Sequence, residues 1–452
     1  MKTLTIVGGG LAGCEAAWQA AQRGVRVRLV EMRPVRGTSV HRTGDLAELV
    51  CSNSLKSNNL DKASGLLKHE MRRFDSLIIR AADESSVPAG SALAVDRAAF
   101  ARSITSRLES HPNIEITREE VCAIPQGPTI IASGPLTTPE LAHGIQQVLG
   151  SDFLNFFDAV APIVDADSLD YSKIFLASRY DKGEAAYWNC ALDEAAYDAF
   201  RDALLGAEQA DAHNEEDVPY FESCMPIEEM AERGRLTMRF GPLRGAGLTD
   251  PKTGRWPFAA VQLRAENDPA TMYNLVGFQT RLKWSEQTRV LRLLPGLENV
   301  EIVRFGVIHK NIFINSPAVL NPTFQSKARP DLFFAGQMTG VEGYVESAAA
   351  GLMAGTNAAR WMQEQETLIW PRETLLGSLS HYITSAPAKH FQPMNSNWAL
   401  LPPLEEAPAN GNGRKKIGKD EKAALFVDRA TQAMDAWSAR VEQSTPASTC
   451  TL

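Results

Sequence analysis

The sequence predicts an α/β protein, a Rossmann-type dinucleotide-binding domain with an inserted mixed α/β domain. Three observations carry this expectation. A strand, a glycine-rich turn and a helix open the chain at Leu4. A second strand ending in glycine, followed by a small-residue helix, returns near Leu332. The stretch between, roughly 140 to 300, is broken by Pro/Gly turns and mixes helical with strand patterning. A chain of 452 residues has room for more than one domain.

The opening stretch "LTIVGGGLAGCEAAWQAAQRGVRVRLVEMRP" justifies the first element. Leu4 to Val7 reads as a buried strand. Residues 12 to 23, rich in alanine, read as a helix ended by Gly24. Val25 to Val30 read as a second strand closed by Glu31. Gly8, Gly10 and Gly13 form G-x-G-x-x-G: the first makes the tight turn, the second lets backbone approach a pyrophosphate, the third lets helix and strand pack closely. Gly9, Leu11 and Ala12 complete the loop, and the helix N-terminus offers bare N–H groups to phosphate. Glu31 falls about 20 residues after the glycines, where a carboxylate accepts ribose hydroxyls.

"TIIASGPLT", residues 129 to 137, reads as the strand and glycine that close this first nucleotide half, with "SALAVDRAAFARSITSRL" supplying the strand and helix before it. Towards the end, Leu332 to Ala335 form a strand with Gly336 at its carboxyl end. Gln337, Gly340, Glu342, Gly343 and Tyr344 lead into a small-residue helix that contains Gly351. This pattern resembles the C-terminal flavin motif of the glutathione-reductase-like family, in which the glycine places the ribityl chain and the helix N-terminus faces the isoalloxazine. The resemblance implies a glutathione-reductase-like FAD-binding domain, with FAD rather than NAD as the tightly held cofactor. The expected organisation is a FAD-binding domain in two parts, 1–140 and 301–400. A substrate domain, 141–300, is inserted between them, and 401–452 form a linker with a basic knot and a last helix at about 420 to 443.

The composition is that of a globular protein, 44% hydrophobic and 22% charged. A formal net charge of −8 means that any polyanion site must be a local basic patch. The six cysteines are scattered without CxxC or Cys/His zinc spacing, so neither a disulfide framework nor a metal site is expected. Reduced thiols and a cytoplasmic setting follow. No apolar run approaches the roughly 18 residues of a membrane span.

Two cysteines stand out. Cys51 ends the apolar run of "ELVCSNSLKS" and is followed at once by Ser52, Asn53, Ser54 and Lys56. Polar, cation-bearing surroundings favour thiolate. Cys224 precedes Met225-Pro226 and the helix start "PIEEMAERG", where a helix N-terminus would do the same. Cys14 reads as packing in the first helix; Cys122, Cys190 and Cys450 read as structural or frayed positions.

With these motifs, the chain is similar to the folate- and FAD-dependent tRNA uracil-5-methyltransferases, the TrmFO family. "IVGGGLAGCEAAWQ", "LAELVCSNSLKSN", "GLLKHEMRR", "PAGSALAVDR", "PYFESCMPIEEMA", "GQMTGVEGYVESAAAGLMAG", "PMNSNW" and "LLPPL" carry the resemblance over nearly the whole chain. "FGPLRGAGL" departs from the family pattern, though Arg244 keeps a cation there. The resemblance implies that a uridine of the tRNA T-loop becomes 5-methyluridine. The carbon would come from 5,10-methylenetetrahydrofolate and the electrons from FADH2 replenished by NAD(P)H. Uracil C5 is a weak nucleophile until a thiolate adds at C6, so the chemistry needs an activated cysteine. Cys224 is the expected C6 nucleophile and Cys51 the second catalytic group. Tyr344 is expected to stack on the isoalloxazine, a base or a pterin.

Three basic runs are the expected RNA footprint. Lys56, Lys62, Lys68, Arg72 and Arg73 lie near Cys51; Arg233, Arg235, Arg239 and Arg244 follow Cys224; Arg414, Lys415, Lys416 and Lys419 form the knot. Lys56, Arg244, Arg414, Lys415 and Lys416 are the candidate RNA or folate contacts. Three alternatives stay open: the same chemistry on a ribosomal RNA uridine, a GidA-like wobble-modifying partner enzyme, and a non-catalytic flavin- and RNA-binding redox protein.

Overall fold

The computed structural model describes residues 2–38, 40–150, 154–159, 161–210, 225–266, 270–306, 308–404 and 418–444. Its centre is a five-stranded parallel sheet. The strands run in the order Leu332–Phe334, Thr129–Ile131, Leu4–Val7, Val27–Glu31 and Ile114–Arg118. Continuous apolar residues form its middle because both faces are covered by helices. The first helix, Leu11–Gln22, packs along Tyr344–Met362. Small residues set that spacing: a Cβ on Gly351 would lie 2.2 Å from the Ala12 carbonyl oxygen, so the two backbones touch.

One expectation needs correction. Ala92–Val95 does not join the nucleotide sheet. It pairs antiparallel with Ser54–Ser57 and Ser86–Val87 in a separate three-stranded sheet. The strand that completes the parallel sheet is Ile114–Arg118, which sequence reading passed over. As an edge strand only half covered, it alternates apolar and polar residues and lacks the long hydrophobic run of a central parallel strand.

Beyond the helix Pro139–Leu149 the chain runs through Leu154–Ala159 and returns on Ile308–Phe313, its antiparallel partner. Between these two strands lies a six-stranded antiparallel sheet. Its order is Phe175–Ala177, Tyr187–Leu192, Ala259–Ala265, Met272–Leu275, Ile163–Asp165 and Ile302–Arg304. The helices Glu194–Leu205, Ile227–Arg233 and Trp284–Leu291 belong to this region, which has its own apolar core. The last helix, Lys419–Ser444, folds back onto the nucleotide domain. Phe426, Ala430, Met434 and Trp437 recur at helical spacing and join the first core. There Trp437 meets Trp370 and Phe74. Among the described residues no helix is long and apolar enough to cross a membrane.

Candidate active site

The carboxyl ends of the parallel strands open into a cavity of about 400 Å³. The three glycines of the first motif meet it differently. Gly8 has φ +107°, and a Cβ there would lie 2.4 Å from the Ala132 carbonyl oxygen. A Cβ on Gly13 would lie 1.8 Å from the Gly8 carbonyl oxygen, so the helix rests directly on the turn. At Gly10 a Cβ would meet nothing within 4 Å, and the residue lines the cavity. That side of Gly10 is open to the cavity.

Gly8, Gly10, Leu11, Ala12, Glu31, Gly336, Gln337, Glu342, Gly343 and Tyr344 all line this one cavity. Gly9, Gly13 and Gly340 do not; they support the loops from behind. The Gly9 N–H donates to Glu31 Oε2 at 2.7 Å, while Glu31 Oε1 accepts from the Arg33 N–H and Nε, both at 2.9 Å. Burial works to raise the Glu31 carboxyl, but the Arg33 guanidinium and these hydrogen bonds outweigh it and hold the group below the ordinary carboxylate range. Arg33, which sequence reading did not select, also reaches Glu48 at 3.1 Å.

Two further observations point to a polar ligand. Asn311 is 1% exposed and lines the cavity, yet among the described residues neither atom of its carboxamide has a hydrogen-bond partner. Thr138 Oγ1, also at the cavity, is in the same state. Leaving buried polar atoms unsatisfied costs roughly 1–3 kcal/mol each. A dinucleotide fits these residues. Two helix N-termini are available for its phosphates, Gly10 leaves room for them, and the orphaned amide and hydroxyl await polar partners.

Cys51 lines the same cavity, on a loop clamped from several sides. Its N–H donates to the Tyr344 hydroxyl at 2.6 Å. Arg97 donates to the Leu49 carbonyl at 2.5 Å and the Cys51 carbonyl at 3.2 Å, and Arg304 donates to the Val50 carbonyl. Arg264 holds Ser52 Oγ at 2.7 Å and Asn53 Oδ1 at 3.0 Å. The fully buried Asn53 then donates to the Val95 and Ala265 carbonyls. Burial opposes the charge on Arg97, but its ion pair with Glu266 overrides this and holds the pKa above its ordinary value. Three guanidiniums, two of them from the inserted sheet, thus fix a cysteine loop on the nucleotide domain. None showed a local sequence signal, since each is a single cation whose partners on the loop lie far away in the chain.

Lys56 also lines the cavity, where its Nζ pairs with the buried Glu346 at 2.9 Å. The rest of its basic run is not a free patch. Lys68 is fully buried and donates to the Leu55 and Ser64 carbonyls. Lys62 pairs with Asp61, Arg72 with Asp83, and Arg73 with Asp435. The sequence grouped these cations by proximity in the chain, but the fold gives each its own internal partner. Of the second run, Arg235 pairs with Glu194 and Asp198, Arg239 donates to the Phe258 carbonyl, and Arg244 is exposed. Cys224 and the knot residues Arg414, Lys415 and Lys416 lie outside the described residues. Cys14 and Cys190 are buried, which raises both thiols far above the range in which they would ionise.

The glucose-inhibited division protein A family model matches residues 3–366. A methylenetetrahydrofolate–tRNA-(uracil-5-)-methyltransferase TrmFO of an Exiguobacterium species is 56% identical over 431 residues, 95% of this chain and 98% of that protein. The TrmFO of Bacillus subtilis is also 56% identical over 431 residues, 95% of this chain and 97% of the relative. Among solved structures, Aquifex aeolicus GidA in its form I crystal matches with a TM-score of 0.67 at 16% identity, covering 98% of this chain and 79% of that one; this likeness speaks for the fold. The chain belongs to the glucose-inhibited division protein A family and, within it, to the TrmFO proteins.

Proposed function

We propose that this protein methylates C5 of a uracil in tRNA, the T-loop uridine. Its carbon donor is 5,10-methylenetetrahydrofolate, its bound cofactor FAD and its reductant NAD(P)H. Relatives named for this reaction match almost end to end. The single observation that ties the reaction to this chain's residues is the placement of Cys51 in the cavity that Gly10 and Gly336 also line.

When bound, FAD supplies the two electrons that convert a transferred methylene into a methyl group. The chain's own residues do the rest. Gly10, Gly336 and the two helix N-termini hold the phosphates and ribityl region, and Glu31 the adenosine end. A thiolate adds to uracil C6 and makes C5 nucleophilic; C5 takes the methylene as its bonds to the tetrahydrofolate nitrogens break, the C5 proton is removed, and the thiolate is expelled from C6 once the methylene has been reduced. Cys224 is assigned the addition and Cys51 the C5 proton or the methylene. Arg97, Arg264 and Arg304 hold the Cys51 loop in place, so the thiol does not have to be ordered at the moment of reaction. Lys56 and Arg244 are assigned to the anionic substrates, and the insert to the substrate domain. The uridine must leave its stack to reach a recessed thiol. A cytoplasmic setting suits reduced thiols, tRNA and reduced folate.

The test is an unmodified tRNA transcript incubated with the purified protein, FAD, NAD(P)H and labelled methylenetetrahydrofolate. Label should appear in 5-methyluridine of the T-loop. Label absent from the RNA, or found only when ribosomal RNA is supplied, would refute this assignment.

A further inference from the structure

The segment Arg179–Asp181 contains two consecutive non-glycine residues in the left-handed region, Tyr180 at φ +57° and Asp181 at φ +50°. Such conformations cost free energy and persist where surroundings hold them. Here the Tyr180 N–H donates to the Gly247 carbonyl at 2.6 Å. The Tyr180 ring lies against Gly247, where any Cβ would come within 2.8 Å of it. Trp256 meets the same ring edge-on, with centroids 5.9 Å apart. All this ordering leads outward: Tyr180 remains 49% exposed and Trp256 56%.

Two guanidiniums accompany the rings. Arg244 donates to the Tyr180 hydroxyl at 3.3 Å, and Arg179 to the Ala246 carbonyl at 2.9 Å and Gln262 Oε1 at 3.0 Å. Their partners are neutral, and among the described residues neither cation is in an ion pair. Burial lowers the Arg179 pKa, and the neighbouring Arg244 charge lowers it further. Two adjacent, uncompensated guanidiniums attract an anion, phosphate above all.

The surface is aligned with the cysteine loop. Gln262 and Arg264 are two residues apart on the strand Ala259–Ala265, so their side chains leave the same face of the sheet, ~7 Å apart. Arg264 holds Ser52 beside Cys51, and Gln262 holds Arg179 beside Tyr180.

We propose that Tyr180 and Trp256, with Arg179 and Arg244, dock an unstacked nucleotide of the substrate RNA next to the target uridine, the rings taking its base and the guanidiniums its phosphate. The proposal deepens the tRNA reading above and rests on it. RNA is favoured over folate because Tyr180, Trp256 and Arg244 stand outside the cavity on open surface. Small ligands take concave sites, whereas aromatic rings with neighbouring cations are how proteins hold single-stranded RNA.

The experiment measures binding of an unmodified tRNA transcript by the flavin-loaded full chain across a salt titration. Trp256→Ala and Tyr180→Leu should each weaken binding roughly 5- to 100-fold, and Tyr180→Phe should restore it, because stacking needs the ring and not the hydroxyl. The pair Arg179→Met with Arg244→Met should flatten the slope of log affinity against log salt by roughly 1 to 2. Flavin content and melting temperature establish that each variant is folded. If Tyr180→Leu fails that criterion, Trp256→Ala decides alone. Wild-type RNA affinity in Trp256→Ala and in every folded Tyr180 variant overturns the proposal. So does a rise in the KM for folate with RNA affinity unchanged, which would make the surface a folate site. Wild-type protein that binds no transcript would instead refute the tRNA reading on which the proposal stands.

Discussion

The backbone N–H of Cys51 donates to the hydroxyl of Tyr344 at 2.6 Å, a contact between residues 293 positions apart. The same oxygen accepts the Ser52 N–H at 3.2 Å. Burial, helped by the adjacent Cys51, raises the Tyr344 phenol well above its ordinary value, so it stays protonated. Tyr344 begins the helix whose N-terminus faces the cavity. The cysteine loop is therefore tied to the same element that would carry the cofactor. The stacking expected of Tyr344 concerns its ring, while its hydroxyl anchors the loop.

Tyr344→Phe should accordingly loosen the loop while leaving the nucleotide motifs intact. Two half-buried N–H groups lose their acceptor, at roughly 0.5–1.5 kcal/mol each. Methyl transfer should fall about 10-fold or more, with flavin content preserved. Unchanged turnover in Tyr344→Phe, measured as 5-methyluridine formed per flavin, would show that the anchor is dispensable.

Cys51→Ala should keep the fold and bound flavin and lose most methyl transfer. Cys224→Ala should also lose activity, and should form no covalent adduct with a 5-fluorouridine tRNA on a denaturing gel. A fully active Cys51→Ala enzyme would return that cysteine to a packing role. An adduct that survives Cys224→Ala and vanishes with Cys51→Ala would mean that the two thiols have exchanged roles.

Gly10→Val and Gly13→Ala separate ligand from packing. Among the described residues nothing meets a Cβ at Gly10, so Gly10→Val should melt close to wild type without flavin and yet retain little flavin. Gly13→Ala brings a Cβ to 1.8 Å from the Gly8 oxygen and should destabilise the protein whether or not flavin is present. Asn311→Leu belongs with Gly10→Val: it removes no hydrogen bond among the described residues, while flavin affinity should drop about 10-fold. Equilibrium flavin titration and melting with and without FAD test all three. Equal flavin affinity in Gly10→Val would remove the pyrophosphate from that place.

Lys68 gives the stability a defined pH component. Burial lowers its pKa from an ordinary 10.5 to about 7. Between those values the unfolded chain carries a proton that the folded chain does not. This contribution to stability therefore rises with pH across the window and is lost as pH falls back through about 7. The stability of wild type relative to Lys68→Met should increase from pH 7 to pH 10 in urea titrations. A difference that stays flat over that range would show that the folded-state pKa is not depressed.

The sequence by itself determined the elements whose reasons are local. The first helix, expected at residues 12 to 23, forms as Leu11–Gln22, and the last, expected at about 420 to 443, as Lys419–Ser444. Gly10 and Gly336, each singled out from a strand that ends in glycine, line one cavity, and each pattern is a property of one short turn. The unusual setting of Cys51 was also legible, since an apolar run that stops against Ser52, Asn53 and Lys56 is visible in ten residues. Only the tertiary structure decided what surrounds that thiol. Arg97, Arg264, Arg304 and Tyr344 reach its loop from distant parts of the chain, and Asn311 enters the cavity on the strand that returns from the insert. The tertiary structure also dissolved the basic run near Cys51, burying Lys68 and pairing Arg72 and Arg73 internally. The physical reason is the same in both directions. A cation in a sequence is a charge in need of a partner, and whether that partner is a carboxylate, a carbonyl or a bound anion is set by which segments the fold brings within about 3 Å.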